Sequence, residues 1–346
     1  MKTTIYPIHP IFIGLYLFLA FIGLAKAEPT HYPLTLKNCN RDITFNKPPE
    51  RVVAVGQNTT EILYSLGLGN KVKGTALWFQ QVMPEFTAIN ETIDVLSNDT
   101  PSLESIVSKK PDFVTNQYEV IIGPAGAATT YQQLDDLDIP VYTSPSDCLG
   151  KDNLAGGDGL RSIPFSMEMV YQEIQELSQI FDIEERGHTL ITQLKERENK
   201  AREKAARFSD QKISAVAWFS SAELKMDPFV AGQLGAPGYL FKTLNIHNIV
   251  ASDHDWPMVS WETIAKKNPS IIILAEMKRR RYPGDDVHIK RQFLKNDPVL
   301  SLMDAVKQDH LVVLDAQALN GSLHTMDALE LLANKIEQFG LVRKNK

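Results

Sequence analysis

The sequence predicts an α/β fold of two lobes with mostly parallel sheets, joined by a single long inter-lobe helix. Three observations support this: a segment that occurs twice, an alternation of short apolar runs with amphipathic segments, and one long charged stretch in the middle. Strands that alternate with helices favour parallel sheets covered by helices. The 346 residues also exceed what one hydrophobic core usually accommodates, which favours two units.

The repeated segment reads SLESIVSKKPDFV from Ser102 and SWETIAKKNPSII from Ser260. In both copies a Ser is placed to cap a short helix, a Glu lies in the first turn, and a Pro ends the helix before an apolar strand. Two such copies predict two similar lobes. The alternative is chance, because the order helix, Pro, strand is common in α/β proteins.

Short apolar runs between turn residues predict the strands. They are Val52–Val55, Val72–Ala76, Phe113–Asn116 and Val141–Thr143 in the first lobe, and Ile213–Trp218, Ile271–Leu274 and Leu311–Leu314 in the second. Helices are predicted between the strands, including Thr60–Leu66, Ala236–Thr243 and Thr325–Phe339. Ligands of parallel sheets bind at the carboxyl ends of the strands, so the residues after each strand are the site candidates.

The charged stretch between residues 188 and 208 is rich in Lys, Glu, Arg and Ala, with opposite charges spaced for pairing four residues apart. Its apolar face is thin, which predicts a solvated strut between the lobes rather than a core helix. We therefore expect an N-terminal lobe over 28–183, a backbone helix over 184–208 and a C-terminal lobe over 209–346.

Residues 1–27 have the layout of a secretory signal peptide. Lys2 precedes an apolar run that ends at Leu24, and Ala25-Lys26-Ala27 follows as a cleavage site. The run is shorter than the ~20 residues of a membrane span, so we expect cleavage after Ala27 and a periplasmic protein. Removing two lysines leaves 34 basic against 42 acidic side chains, a net charge of −8, which excludes a general nucleic-acid binder.

The chain has two cysteines, Cys39 and Cys148. An even number in an exported protein predicts a disulfide between them, and two free thiols are the alternative.

Candidate ligand residues follow the predicted strands. Tyr118, Trp78 and Trp256 suit a wet cleft because their rings are amphipathic, although ordinary core packing is the alternative for such side chains. The run Lys278-Arg279-Arg280-Arg281-Tyr282 follows the strand at Ile271–Leu274 and could hold a carboxylate- or catecholate-rich anion. A solvated charged face is the alternative for this run.

Several catalytic and metal-binding patterns are absent from the sequence. It has no phosphate-binding G-x-x-x-x-G-K-[ST] loop, no H-E-x-x-H and no C-x-x-C. Most histidines fall in the second lobe, whereas a bare metal site between the lobes needs ligands from both. Ser144, His254 and Asp255 could form a hydrolase triad, but no G-x-S-x-G elbow supports one. We expect no catalytic residues, no metal site and no cofactor.

Taken in order, several segments resemble the periplasmic substrate-binding proteins of ABC importers for ferric siderophores and cobalamin. The segments are RVVAVGQNTTEILYSLGL, SLESIVSKKPDFV, DIPVYT, WPMVSWETIAKKNPSIIIL and HLVVLDAQ followed by DALELLANKI. The resemblance implies two lobes joined by a rigid helix, with the ligand in the cleft between them. It also implies that Glu104 and Glu262 dock onto arginines of the membrane permease. Residues Asp147–Ile163 depart from the family pattern, being longer and richer in Gly.

The sequence therefore predicts a binding protein, not an enzyme, that carries an anionic ferric siderophore to an inner-membrane permease. The expected ligand residues are Trp78, Tyr118, Trp256, Arg279, Arg280, Arg281 and Tyr282. A monomer without nucleic-acid partners is expected. Cobalamin or a haem-type tetrapyrrole is the alternative ligand, and an exported α/β hydrolase or metal-dependent enzyme is the alternative from another class.

Overall fold

The computed structural model describes residues 29–156, 158–208 and 212–342. The predicted leader and its cleavage site lie outside the described residues. Within them the fold is the predicted one, because two α/β lobes each contain their own sheet and one long helix connects them. The boundaries assigned to the domains stay a prediction.

The N-terminal lobe begins with an antiparallel hairpin and then alternates strands with helices. Its elements are β1 (Leu34–Asn38), β2 (Arg41–Phe45), β3 (Val52–Val55), α1 (Gln57–Ser65), β4 (Val72–Ala76), α2 (Thr87–Asn90), β5 (Val95–Ser97), α3 (Leu103–Val107), β6 (Phe113–Asn116), β7 (Ile122–Gly123), β8 (Thr129–Thr130), α4 (Tyr131–Asp135), β9 (Val141–Thr143), α5 (Pro145–Cys148), β10 (Lys151–Asp152), β11 (Leu160–Arg161) and α6 (Met167–Ile180).

The main sheet of this lobe has the strand order β5–β4–β3–β6–β9, and all its neighbouring strands are parallel. The central strand β3 has the sequence VVAV, and all its residues are fully buried. A strand covered on both faces needs apolar side chains at every position, which explains why this sequence does not alternate. The strands predicted for this lobe have the predicted bounds.

The C-terminal lobe follows the long helix α7 (Glu184–Ala205). Its elements are β12 (Ser214–Ser220), β13 (Phe229–Val230), α8 (Ala236–Thr243), β14 (His247–Asn248), α9 (Trp261–Lys267), β15 (Ile271–Glu276), α10 (Val287–Asn296), α11 (Asp304–Lys307), β16 (Leu311–Asp315) and α12 (His324–Gln338). The sheet order is β13–β12–β15–β16, and β14 also pairs with β12. The strand β13 is antiparallel to β12, whereas the other pairs are parallel.

The two copies of the repeated segment have the same local structure. The hydroxyl of Ser102 accepts a hydrogen bond from the Ser105 amide at 3.2 Å, and the hydroxyl of Ser260 accepts one from the Thr263 amide at 3.3 Å. These caps satisfy amides that the first turns of α3 and α9 leave unpaired. Each helix then leads into a strand, β6 or β15, that is paired on both sides. The predicted repeat is therefore confirmed as a structural unit.

The helix α7 packs between α6 of the first lobe and α12 of the second. Small side chains and one leucine make up its buried face: Gly187, Leu194, Ala201 and Ala205. At the surface, Arg197 pairs with Asp327 at 2.5 Å and with Glu330 at 2.8 Å on α12. The thin apolar face predicted for this helix is confirmed, and at 22 residues it spans about 33 Å.

A disulfide joins Cys39 to Cys148, with 5.5 Å between their Cα atoms. It links the turn of the first hairpin to α5, as the sequence predicted. The neighbouring Asn38 strengthens this link, because its side chain exchanges two hydrogen bonds with the backbone of Thr143 at 2.8 and 2.7 Å. Within the described part of the chain, no helix has the length and apolar character needed to cross a membrane.

Candidate functional site

The two sheets direct the carboxyl ends of their strands toward a shared cleft, which contains a cavity of about 310 Å³. We call it the aromatic cavity because six aromatic side chains from both lobes line it. These are Phe79, Tyr118, Phe219, Phe229, Trp256 and Tyr282. The position agrees with the rule that ligands of parallel sheets bind beyond the carboxyl ends of the strands.

Four of these rings form a chain that crosses from one lobe to the other. The centroid of Phe79 lies 6.3 Å from that of Tyr118 and 6.4 Å from that of Phe219. Phe219 in turn packs on Trp256 with a centroid separation of 4.4 Å. The cleft therefore offers a ligand a continuous aromatic surface to which both lobes contribute.

Polar residues that follow β3 and β6 hold this aromatic surface in place. The side-chain oxygen of Gln57 accepts hydrogen bonds from the amides of Phe79 and Gln80 at 3.2 and 3.0 Å. The amide group of Gln117 donates to the hydroxyl of Tyr118 at 3.0 Å. Gly56 is required at the start of the turn, since its φ of 126° suits glycine and an added Cβ would collide with the Gln117 side chain.

The four cations that follow β15, Lys278 to Arg281, fall into two groups with different surroundings. Arg279 and Arg281 line the aromatic cavity. Arg280 instead forms an ion pair with Asp286 at 2.6 Å, and Lys278 lies 3.9 Å from Glu276. Only two of the four cations therefore face the cleft, and Arg280, which the sequence placed among the ligand residues, does not line this cavity.

Both arginines of the cavity contact Asp99 of the opposite lobe. Arg279 lies 3.2 Å from the Asp99 carboxylate, and its guanidinium sits 4.2 Å above the centre of the Phe79 ring. Arg281 pairs with the same carboxylate. The hydrogen bond from Arg281, with the nearby charge of Arg279, holds the pKa of Asp99 below its usual value. Burial lowers the pKa of Arg279.

The other predicted aromatic residues differ in their placement. Tyr118 and Trp256 line the cavity from opposite lobes, and Tyr282 lines it with 46% of its surface exposed. Trp78 is buried outside the cavity, where its indole N–H donates to the Thr75 hydroxyl at 3.3 Å. The adjacent Phe79 takes the place in the cleft that the sequence assigned to Trp78.

Residues 147–163, which we call the strap, connect the two lobes across the cleft. Strands β10 and β11 form its hairpin. The Arg161 amide donates to the Asp253 carbonyl at 2.9 Å, and the Asp255 amide donates to the Gly159 carbonyl at 3.0 Å. The segment that the resemblance singled out therefore connects the two lobes through its described residues, 147–156 and 158–163, beside the aromatic cavity.

A buried ion network holds the strap to the C-terminal lobe. Lys151 lies 2.6 Å from Asp147 and 3.3 Å from Asp255, and Arg161 lies 2.7 Å from Asp255. Burial by itself lowers the pKa of Lys151, but the two carboxylates outweigh it and raise the pKa above its usual value. Removing one member of such a network leaves an unpaired buried charge, which is costly.

The hydrolase triad considered from the sequence does not assemble. The Ser144 hydroxyl bonds to Glu173 at 2.5 Å, and His254 contacts the Gly156 carbonyl at 2.6 Å. Asp255 is engaged by Lys151 and Arg161. Among the described residues, no group of three or more His, Cys, Asp or Glu side chains is placed to hold a metal ion.

Neither Glu104 nor Glu262 lines the aromatic cavity, and the two occupy equivalent places in the first turns of α3 and α9. Both side chains are exposed. Hydrogen bonds to its own backbone amide and to Ser102 lower the pKa of Glu104, so it is ionised at neutral pH. The pair is therefore free to meet a cationic partner.

Sequence reasoning missed Phe79, Phe219 and Asp99 as cavity residues. Phe219 could have been found from strand geometry, because Trp218 and Phe219 are adjacent in β12 and point to opposite faces. Trp218 is fully buried, which leaves Phe219 for the cleft. Asp99 lies just beyond the short strand β5, for which the apolar pattern gave no signal.

Comparison with known proteins agrees with this architecture. Residues 52–318 match the family described as "Periplasmic binding protein". An uncharacterized ABC transporter substrate-binding lipoprotein of Bacillus subtilis is 24% identical over 73% of this chain and 72% of its own length. A vitamin B12-binding protein of Vibrio campbellii is also 24% identical, over 88% of this chain and 95% of its own.

A solved structure shares the fold. It is described as an ABC-type Fe3+-hydroxamate transport system from Saccharomonospora viridis, and it superimposes with a TM-score of 0.69 at 22% identity, covering 90% of this chain and all of its own. The relatives are substrate-binding proteins of ABC transporters, which are not enzymes. With its two α/β lobes, inter-lobe helix and lined cleft, this chain belongs to the periplasmic binding protein family.

Proposed function

We propose that this protein captures an iron chelate, a ferric siderophore, in its inter-lobe cleft and delivers it to the permease of an ABC importer. The observation that carries the proposal is the presence of two arginines from one lobe, Arg279 and Arg281, on an aromatic wall built by both lobes. Guanidinium groups suit the oxygen-rich shell of a ferric chelate, and the rings suit its apolar faces.

In the described structure the Asp99 carboxylate forms ion pairs with both guanidinium groups. An anionic oxygen of the chelate would share or replace this carboxylate, so the arginines need not move to receive cargo. Exchange of one ion pair for another also limits the cost of burying the ligand's charge, because the cations are never left unpaired.

A tetrapyrrole such as cobalamin or haem is the second candidate. The chain of four rings that crosses the lobes favours it, because a wide aromatic surface suits a large flat macrocycle. The vitamin B12-binding relative supports the same class. The arginine pair distinguishes the candidates, since it offers most to a cargo with exposed anionic oxygens.

Titration of the ligand-free protein tests the proposal. Ferric trihydroxamate, ferric triscatecholate, ferric citrate, cyanocobalamin and haemin are each added while tryptophan emission and ligand absorbance are followed. Trp256 lines the cavity, so a bound chelate should quench its emission. We expect saturation at one equivalent by a ferric chelate. Saturation by cyanocobalamin or haemin, with no response to any ferric chelate, would replace the first candidate with the second.

Delivery is proposed to use Glu104 and Glu262. They are exposed carboxylates at matching positions of two lobes, and such a pair suits a membrane partner with two equivalent arginines. The protein would act as a periplasmic monomer that presents both carboxylates on one molecule.

A further inference from the structure

The strap and the C-terminal lobe together bring more carboxylates than cations to the edge of the aromatic cavity. Asp147, Asp158 and Asp255 meet there with Lys151 and Arg161, and all five line one small polar pocket. The ion network pairs Asp147 with Lys151 and Asp255 with both cations. Asp147 also accepts a hydrogen bond from the Glu119 amide at 2.8 Å. Both cations are therefore paired with these two carboxylates, and neither forms an ion pair with Asp158.

Asp158 is the carboxylate that remains. Its side chain forms no hydrogen bond or ion pair with any residue among 29–156, 158–208 and 212–342, and it is exposed to the cleft. It lines both the small polar pocket and the aromatic cavity. An anionic oxygen that no protein group satisfies, placed where the ligand binds, is an acceptor available to the ligand.

Two aromatic rings share this position with Asp158. Tyr118 and Trp256 also line both spaces, one from each lobe. A carboxylate beside aromatic faces is the environment that proteins use to bind ammonium groups, because ring and carboxylate both attract positive charge. We propose that Asp158, Tyr118 and Trp256 form a subsite for an ammonium group of the cargo.

The proposal deepens the proposed function, on which it rests for the identity of the cargo. A ferric chelate with a free amine would place its oxygens at Arg279 and Arg281, which line the same cavity, and its ammonium at Asp158. The subsite thus narrows the substrate class from anionic chelates to chelates that carry a positively charged arm. It also gives the strap a role in specificity.

The charge state of Asp158 should make the binding of an ammonium group depend on pH. Although the side chain is open to the cleft, desolvation by the surrounding cleft walls raises the pKa of Asp158 to about 6, with Asp147 and Asp255 acting in the same direction and Lys151 and Arg161 opposing them. The carboxylate is therefore negative above about pH 6 and becomes neutral below it. An alkylammonium keeps its proton up to roughly pH 10. Preference for an amine should consequently be present at pH 7.5 and fade as the pH falls to 5.

The test compares matched probes on matched variants. The first probes are a linear ferric trihydroxamate with a free terminal ammonium and its N-acetylated form, which differ in one charge. The second, iron-free pair is 2-phenylethylammonium and its N-acetyl derivative. Each is titrated into the wild type, Asp158→Asn and Asp152→Asn. The Asp152 variant is the control, since it makes the same charge change in the strap at a side chain outside both spaces.

We expect the wild type and Asp152→Asn to prefer the ammonium form of each pair by about tenfold at pH 7.5. In Asp158→Asn the preference should disappear. Equal and tight binding of both ferric chelates by the wild type would overturn the subsite and leave the proposed function intact. If neither chelate binds but phenylethylammonium is still preferred through Asp158, the subsite stands and the ferric cargo is wrong. Absence of an Asp158-dependent preference in both pairs also overturns the subsite.

Discussion

The two lobes repeat one structural unit but contribute different chemistry to the cleft. In both, a serine-capped helix with an exposed glutamate leads into a strand paired on both sides. The N-terminal lobe adds Phe79, Tyr118 and the acceptor Asp99, whereas the C-terminal lobe adds Trp256 and the arginine pair. The difference teaches that the repeated part builds the shared architecture of the lobes, and that the cavity is lined by segments outside the repeat.

The largest expected effect tests the equivalence of the two repeats. Replacing both glutamates, Glu104→Arg with Glu262→Arg, should abolish transport in cells, because like charges would then face the arginines proposed for the permease. Each single variant should transport at an intermediate rate. Ligand affinity and melting temperature should stay near wild type, since both side chains are exposed.

Uptake of labelled cargo measures this effect, and Glu91→Arg is the control because it reverses an exposed charge outside the repeats. Wild-type uptake by the double variant would mean that the repeat is only a shared structural unit of the lobes.

The second effect concerns a feature that the lobes do not share. The Cys39–Cys148 disulfide lies in the N-terminal lobe and closes a loop with a sequence separation of 109 residues. Replacing both cysteines with serine should lower the free energy of unfolding by about 2–4 kcal/mol, mainly by freeing the unfolded chain. Denaturant titration measures the change. The reduced wild type should behave like the variant, and an unchanged midpoint in both would show that the crosslink adds no stability.

The third effect sharpens the division within the arginine run. Arg279→Ala should weaken binding of a ferric chelate by about 1.5–3 kcal/mol, because a charge-assisted contact in a partly buried site is lost. Arg280→Ala is the matched control, since its partner Asp286 lies outside the cavity. The loss should shrink as salt rises. If Arg279→Ala binds the chelate as tightly as Arg280→Ala and the wild type do, the run does not contribute to chelate binding.

The smallest effect concerns the helix that both lobes share. Arg197→Ala removes the ion pairs from α7 to Asp327 and Glu330 on α12. These pairs are partly exposed, so the expected loss is below about 1 kcal/mol in the free energy of unfolding. A larger loss in thermal unfolding would show that surface charge, rather than the packing of small residues, holds the lobes together.

The sequence predicted the strands, helices and two-lobe fold well, because these features depend on local residue patterns. Fully buried strands such as Val52–Val55 appear as unbroken apolar runs, and the capped helices appear from Ser and Pro at fixed positions. The two-residue strands β13 and β14 were missed because they are too short for a periodic pattern. The disulfide was predicted from an even cysteine count and export alone.

The cleft was harder to predict, because adjacent residues of one segment turn different ways. Trp78 and Phe79 are equally good candidates in sequence, and only tertiary contacts bury the first and expose the second to the cavity. Arg279 and Arg280 are likewise adjacent and equally good candidates in sequence, but only Arg279 lines the cavity. The pairing of Asp99 with two arginines joins positions about 180 residues apart, which no local pattern reports.

The central claim is that the cargo binds against the aromatic wall between the lobes. Quenching of tryptophan emission by a ferric chelate, compared between the wild type and Trp256→Phe, tests it most directly. Of the four tryptophans, Trp78 and Trp218 are buried outside the cavity and Trp261 packs against Trp218. We predict saturable quenching at one equivalent in the wild type and loss of most of the quenching in the variant. Equal quenching in the two proteins would place the cargo elsewhere and contradict the account.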